Sequence, residues 1–297
     1  MVSAAELALG GPAGVRIAPG LVDSSPGEGM TNLTNVLVPT SAEDAAAAFG
    51  DGAGVTVLAG GTVVMPALKL GRLRPDRTLY LGKAGLDRIE RTNGTIKIGA
   101  MTTISALISG APEPLSTFAA HVGDYEIRGQ ATIGGNLCVP PGGTATTGDL
   151  LAPLLAMGAR VRSVGAGGER TDSVDDFLAA EIGQRLVVEI EVDDPKRAGT
   201  ASVRRPHAHA YSILAVAVAE QAGGIGVAIL GAGPRAIRAA AVEQALAGGA
   251  SRETAAQRAL DDVEPQDDAL ASGWYRRQIL PTLVERALDD LSEVSRR

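Results

Sequence analysis

The stretch RGQATIGGNLCVPPGGTATTGD, residues 128–149, strings small residues, paired glycines and a closing aspartate into a run too glycine-rich for an ordinary helix or strand. At its centre lies ATIGGN, Ala131–Asn136: a small residue, a hydroxyl, Gly134-Gly135 and an amide side chain. A shorter version of the formula, AGGT at Ala59–Thr62, follows the β-branched run Val55–Leu58. Adjacent glycines remove two Cβ atoms, so the backbone reaches φ > 0 and approaches a neighbour or ligand closely. Successive N–H groups in such a turn form a nest for an anion, and Thr62 adds a hydroxyl donor. One Gly-Gly turn is as readily a corner between strand and helix. Two, each with a hydroxyl beside apolar sequence, suggest paired backbone cradles on one diphosphate. Neither holds a lysine, GxxxxGK[ST] is absent, and no GxGxxG is followed by an acid at the expected distance, so P-loop and Rossmann chemistry are disfavoured.

Working outward, Val36–Val38 reads as a strand, followed by Thr40 or Ser41 as a helix cap, Glu43 and Asp44 in the first turn, and a poly-Ala body. Val55–Leu58 is a buried strand that breaks at Gly60-Gly61, and helical spacing resumes from Val64 to Leu70. RTLYLG (77–82) and the start of TIKIGAMTTISAL (95–107) are strands, the second entering a helix near Thr102–Thr103. Pro114–Val122 is helix-like and leads into the glycine-rich run. Beyond Asp149 the pattern is helix, a stop at Gly158, then strand; VDDFLA (174–179) is a short helix and RLVVEIEV (185–192) a strong strand. Composition shifts at DDPKRAGTAS, 193–202, which marks a boundary between domains at 31–195 and 200–297. In the second, a hairpin turns at Gly223-Gly224, and helical spacing recurs over 236–247 and 279–291. Residues 1–30, rich in Gly, Pro, Ala and Ser, read as a poorly ordered extension.

The 297 residues suffice for a sizeable core, and 45% apolar with 21% charged residues is an ordinary globular balance. Aromatics are only 3% and the net charge is −7, which speaks against stacking platforms and basic faces for nucleic acid. The single cysteine, Cys138, excludes a disulfide framework, a Cys-ligated zinc or an iron–sulfur cluster built within this chain alone. No signal-like n-region or long apolar run is present, so no membrane insertion and a cytoplasmic location are expected.

VLAGGTVVMPALKLG (57–71), GTIKIGAMTTISAL (94–107), EIRGQATIGGNL (126–137) and GDLLAPLLAMGARV (148–161), in this order, resemble the FAD-binding medium subunit of molybdenum hydroxylases. That family includes the carbon monoxide dehydrogenase flavoprotein, and the xanthine dehydrogenase FAD domain is similar. RRPHAHAYSILAVAVA (204–219), EQALAG (243–248) and PQDDALASGWYRRQILPTLVERAL (265–288) resemble its second domain. The resemblance implies an α+β fold: a two-lobed FAD-binding domain of the PCMH, vanillyl-alcohol-oxidase-like type, then a small sheet covered by helices. It implies non-covalent FAD with its diphosphate at Ala59, Gly60, Gly61, Thr62, Val63 and Val64 and at Ala131, Thr132, Gly134, Gly135 and Asn136. It places Asp149 at the ribityl–isoalloxazine part and Leu186 and Val187 beside the ring. It implies a large molybdenum-cofactor subunit and a small [2Fe–2S] subunit as partners, with electrons passing through this chain's FAD to an external acceptor. Three departures stand out: a longer 136–149 segment, no lysine in AGTASVRR (198–205), and no counterpart to the first thirty residues.

A stand-alone FAD-dependent oxidoreductase acting directly on a small organic substrate, possible as a homo-oligomer, is the alternative reading, and a non-enzymatic module whose Gly-Gly turns bind nothing is a third. Cys138 reads as a buried thiol packed behind the loop rather than a flavin tether. His121, His207 and His209 lack the spacing and neighbours of a metal site and read as surface or supporting groups. Asp175-Asp176 and Asp267-Asp268 fit helix starts, where the dipole favours them. No residue is singled out as catalytic.

Overall fold

The computed structural model describes residues 16–17, 35–140, 148–180, 183–205 and 212–293. Three sheets follow one another along the chain. The first holds β1 (Arg16–Ile17), β2 (Val36–Val38), β3 (Val55–Leu58) and β4 (Arg77–Tyr80) in the order β1-β2-β4-β3, with helices α1 (Ala42–Phe49) and α2 (Val64–Lys69). Strands β2, β4 and β3 are parallel, as short βα crossovers require. Ser41, not Thr40, is the α1 cap: its Oγ accepts from Asp44 N at 3.0 Å. Within the N-terminal extension Arg16–Ile17 pairs antiparallel with Val38 and Leu37. The rest of residues 1–30 lies outside the described residues.

The second sheet is antiparallel: β5 (Ile89–Thr92), β6 (Thr95–Gly99), β7 (Arg160–Gly165), β8 (Gly168–Ser173) and β9 (Arg185–Asp193), ordered β5-β6-β9-β7-β8. One face is charged, with Lys97, Arg160 and Arg162 against Glu189, Glu191 and Asp193 across the strands. The other buries Ile96, Ile98, Val161, Ile190 and Val192 under α3 (Ile104–Gly110), α4 (Leu115–Ala120), α5 (Tyr125–Gln130), α6 (Ile133–Leu137), α7 (Leu151–Ala156) and α8 (Val174–Ala179). Gly158, at φ 59°, ends the α7 segment as its position predicts. Strand β9 carries an irregularity: Arg162 faces Glu189 but Ser163 faces Val187, leaving Val188 unpaired.

The third sheet comprises β10 (Arg197–Arg204), β11 (Ser212–Gln221), β12 (Gly224–Leu230), β13 (Ile237–Arg238) and β14 (Ser292–Glu293), in the order β13-β12-β11-β10-β14. Strand β10 begins within the stretch expected as a linker. Along β11, Leu214, Val216 and Val218 face α9 (Ala240–Ala247), α10 (Arg252–Ala256) and α11 (Gly273–Asp289), while Ala215, Ala217 and Ala219 belong to the core of the second sheet. Small residues on that face let α7 come close, and a Cβ on Gly226 would collide with the Ala156 carbonyl. The two domains are therefore fused through a shared core. No helix among the described residues is long and apolar enough to cross a membrane.

Arg276 fastens this third layer. It is 2% exposed and donates to the carbonyls of Ile213, Gln266 and Ala271 and to both carboxylate oxygens of Asp268, at 2.8 and 2.7 Å. Asp267 accepts from Gly273 N at 2.6 Å, so of the Asp267-Asp268 pair one caps the helix start and the other holds a buried cation. Burial pulls the Asp268 carboxyl up, but Arg276 and the amides of Ala271 and Leu270 outweigh it and hold it below its ordinary value. A depressed carboxylate contributes stability in full above its unfolded pKa, about 3.9, and loses it as pH falls through the folded value. Arg276→Leu is expected to cost about 3 kcal/mol in denaturant unfolding, because the buried Ile213 carbonyl, two partly buried carbonyls and the Asp268 carboxylate lose their donor. Asp268→Asn should cost roughly 1–2 kcal/mol at neutral pH, and that difference should shrink below about pH 4.

Candidate functional site

A cleft of about 680 Å3 opens between the first two lobes, within the usual range for cofactor and ligand sites. All fourteen residues that the resemblance assigns to a cofactor line it: Ala59–Val64, Ala131, Thr132, Gly134–Asn136, Asp149, Leu186 and Val187. Sequence reasoning missed several neighbours on its wall, among them Phe49, Val57, Leu81, Met101, Arg72 and Arg185. Nothing in their local pattern marks them; they reach the cleft because the strand ends that carry them do.

The AGGT turn joins β3 to α2. Gly61 sits at φ 76°, a conformation glycine adopts without strain, and its carbonyl accepts from Met65 N at 2.9 Å to start the helix. Among the described residues the amides of Gly60, Gly61, Thr62 and Val63 donate to no protein acceptor. Four consecutive free N–H groups at the start of a helix form a ready anion nest.

The second motif differs from the expected loop. Arg128–Gln130 ends α5, and Ile133–Leu137 forms a single helical turn, α6, capped by Thr132. Its amides are engaged: Ile133 donates to Thr102 O at 3.0 Å, Gly134 to Ala100 O at 2.9 Å and Gly135 to Thr132 Oγ1 at 3.1 Å. Asn136 Oδ1 accepts from Leu150 N at 2.9 Å, fixing the start of α7 and thus Asp149 beside it. Two symmetric cradles are therefore not what the chain builds. The first motif carries the free donors, and the second supplies a rigid opposite wall whose glycines leave room. A Cβ at Gly60 would collide with the Gln130 carbonyl, which shows how closely the two motifs meet. A Cβ at Gly135 would meet only Thr132 Oγ1 at 3.1 Å and the Ala59 methyl at 3.9 Å.

The remaining wall is aliphatic, with Val55, Val57, Leu73, Leu81, Leu186 and Val187. Leu186 and Val187 both reach it although neighbours on a strand face opposite ways; the irregularity at Val188 lies beside them. Arg185 is held by Ser163 Oγ and by the carbonyls of Ser163 and Gly168 at 2.8–2.9 Å. Cys138 borders the cleft as a half-buried thiol, pushed up to about 12 by burial with Arg235 opposing. It is neutral and poorly nucleophilic. His121 stands away from this cleft, and His207 and His209 lie outside the described residues. Among the described residues no group of three or more His, Cys, Asp or Glu could hold a metal. Native Cys138 is expected to react with a thiol-specific disulfide reagent at pH 8 at least about tenfold more slowly than in urea, as followed by absorbance.

The family described as "FAD binding domain in molybdopterin dehydrogenase" matches residues 31–192, and "CO dehydrogenase flavoprotein C-terminal domain" matches 197–291. The chain is 29% identical over 276 residues to the 6-hydroxypseudooxynicotine dehydrogenase complex subunit alpha of Paenarthrobacter nicotinovorans, covering 85% of this chain and 92% of that protein. It is 27% identical over 256 residues to the glyceraldehyde dehydrogenase medium chain of Sulfolobus acidocaldarius, covering 79% and 90%. A chain of carbon monoxide dehydrogenase from Hydrogenophaga pseudoflava superposes with a TM-score of 0.75 at 28% identity, over 88% of this chain and 97% of that one. This chain belongs to the FAD-binding medium-subunit family of the molybdopterin dehydrogenases, and is an FAD-dependent oxidoreductase subunit with FAD as its cofactor.

Proposed function

We propose that this chain passes electrons from a molybdenum- and iron–sulfur-bearing partner to an external acceptor, through FAD held in the interlobe cleft. The observation that carries the reading is the four amides of Gly60–Val63, which among the described residues have no protein acceptor and which lie opposite a glycine-lined wall in a cleft of cofactor size. These donors and the helix that follows suit the diphosphate, whose oxygens need several N–H groups and no bulky neighbour. The aliphatic wall suits planar ring systems, and Asp149 lies at the end of the cleft that borders the third sheet. FAD, when bound, takes up and releases electrons singly or in pairs. The chain's share is to bind, orient and shield it.

Composition and the relatives' names support partners. One cysteine does not hold an iron–sulfur cluster, which fits a chain whose cluster-bearing partner is a separate subunit. Relatives are named as a medium chain and as a subunit of a dehydrogenase complex, which supports a large molybdenum subunit and a small [2Fe–2S] subunit here. Tagged chain expressed with its native operon is expected to co-purify with molybdenum and iron. Turnover of an organic substrate by the FAD-loaded chain alone would instead favour a stand-alone flavoenzyme.

Two glycine variants test the cleft itself. Gly60→Ala is expected to lower both the melting temperature and the FAD content, because its methyl collides with the second motif. Gly135→Ala should leave the melting temperature of the FAD-free chain within a few degrees but weaken FAD binding at least about tenfold, because its methyl enters the cleft. Equal FAD affinity in both variants and the parent, by fluorescence quenching, would overturn this placement.

A further inference from the structure

Among the described residues, Asp149 alone lines both the large cleft and a second, much smaller cavity. This cavity lies at the seam between the second lobe and the third sheet. Its wall carries Thr117 of α4, His121 at the α4 C-cap, Thr200 and Ser202 of β10, and Ser212 of β11. Its volume, about 10 Å3, is close to the roughly 10–15 Å3 that one water needs, and its hydroxyls supply the partners such a water requires.

The large cleft offers little other acid–base chemistry. Its ionisable side chains are Asp149, Cys138, Arg72 and Arg185. The Cys138 thiol keeps its proton, and a guanidinium does not exchange one near neutral pH. Among the described residues lining the cleft, the Asp149 carboxylate is the one group able to take up and return a proton, and the small cavity that it also lines carries His121 on its wall. Burial, Arg204 of β10 and Arg128 of α5 hold the imidazole below its ordinary value, with Glu113 before α4 pulling the other way. At neutral pH His121 is therefore an uncharged base, poised to accept.

We propose that Asp149, a water in the small cavity and His121 form the proton path between the cofactor cleft and solvent, with His121 the relay residue. This rests on the reading that the redox-active ring of FAD lies at the Asp149 end. When reduced cofactor is oxidised, two electrons leave in single steps to a one-electron acceptor. The Asp149 carboxylate would take up the proton that a bound, reduced FAD gives up from an N–H group; the water would pass a proton on to an imidazole nitrogen of His121, which would release one to solvent. Reduction runs the path backwards.

The test uses the full chain loaded with FAD, reduced with dithionite and mixed rapidly with ferricyanide at pH 5 to 9, in H2O and D2O. Reoxidation is expected to slow as pH falls through the imidazole pKa, where His121 fills with a proton. His121→Gln should bind FAD normally, yet reoxidise at least about tenfold more slowly at neutral pH and lose that pH limb. Added imidazole should restore the rate in His121→Gly. Thr117→Val, which removes a hydroxyl from the wall without changing charge, should slow the rate and raise the solvent isotope effect. A His121→Gln protein with parental rate and pH profile overturns the relay, as does an unchanged Thr117→Val if His121→Gln does not fold. Failure of the parent chain to bind FAD overturns the functional reading beneath it instead.

Discussion

The cleft exists because two backbones touch where side chains would normally hold them apart. Gly60 lies against the Gln130 carbonyl and the Ala131 Cα, so the turn after β3 is seated directly on the end of α5. Adjacent to that contact, Ala100 ties the second motif to the sheet: its N–H donates to Val188 O at 3.0 Å, and its carbonyl accepts from Gly134 N at 2.9 Å. Val188 is the unpaired residue of β9, so an irregularity in a strand becomes the anchor of a helical turn. A Cβ on Gly134 would stand 2.8 Å from Ala100, which is why glycine is needed on that side as well. The glycines thus do two jobs. Gly60 and Gly134 permit packing, whereas Gly61 and Gly135 shape the space in which a ligand sits.

Much of this was legible in residues that act locally. Strands β2, β3 and β9 follow from β-branched runs and helices α1, α3 and α8 from local spacing, while the structure settles the caps as Ser41, Thr103 and Ser173. The gathering of both Gly-Gly motifs on one cleft was readable from the formula they share and from the family resemblance, not from paired glycines alone, since Gly223-Gly224 only turns a hairpin. What escaped depends on distant partners. ATIGGN has poor helix propensity, yet Ile133–Leu137 closes a turn because Thr102 and Ala100 accept its first amides. Ile89–Thr92, IERT, shows no alternation, since it is an edge strand with three exposed residues. The pairing of Asp268 with Arg276 is invisible without the fold, and a dipole argument stood in for it. Likewise Arg197–Ser202 looked like a linker because Gly and small polar residues there suit a strand packed against α11: a Cβ on Gly199 would collide with the Ala287 carbonyl.

The three layers are unequal in what they can bury. The second and third sheets share a core, with α7 between them, and their relative position is set by close small-residue packing. The first lobe has only short strands, and its larger apolar cluster is completed by Leu186 and Val188 from β9 of the neighbouring lobe. A second cluster under α2 holds three buried residues, Val36, Leu58 and Leu68. A ligand filling the cleft would meet the first lobe at Gly60–Val64 and the second at residues among Thr132–Asn136, which line it. It would therefore span the boundary between the first two lobes. Binding energy that depends on both walls also holds them together, by the logarithm of ligand concentration over its dissociation constant. On the proposed reading this coupling has a mechanical sense. The first lobe, which carries the Gly60–Val63 amides and completes its larger apolar cluster only with residues of β9, would gain seating from a bound cofactor, while Asp149 lies next to α7 and the core that the second and third sheets share. The cofactor would then help to complete the half of its site that has the smaller core of its own.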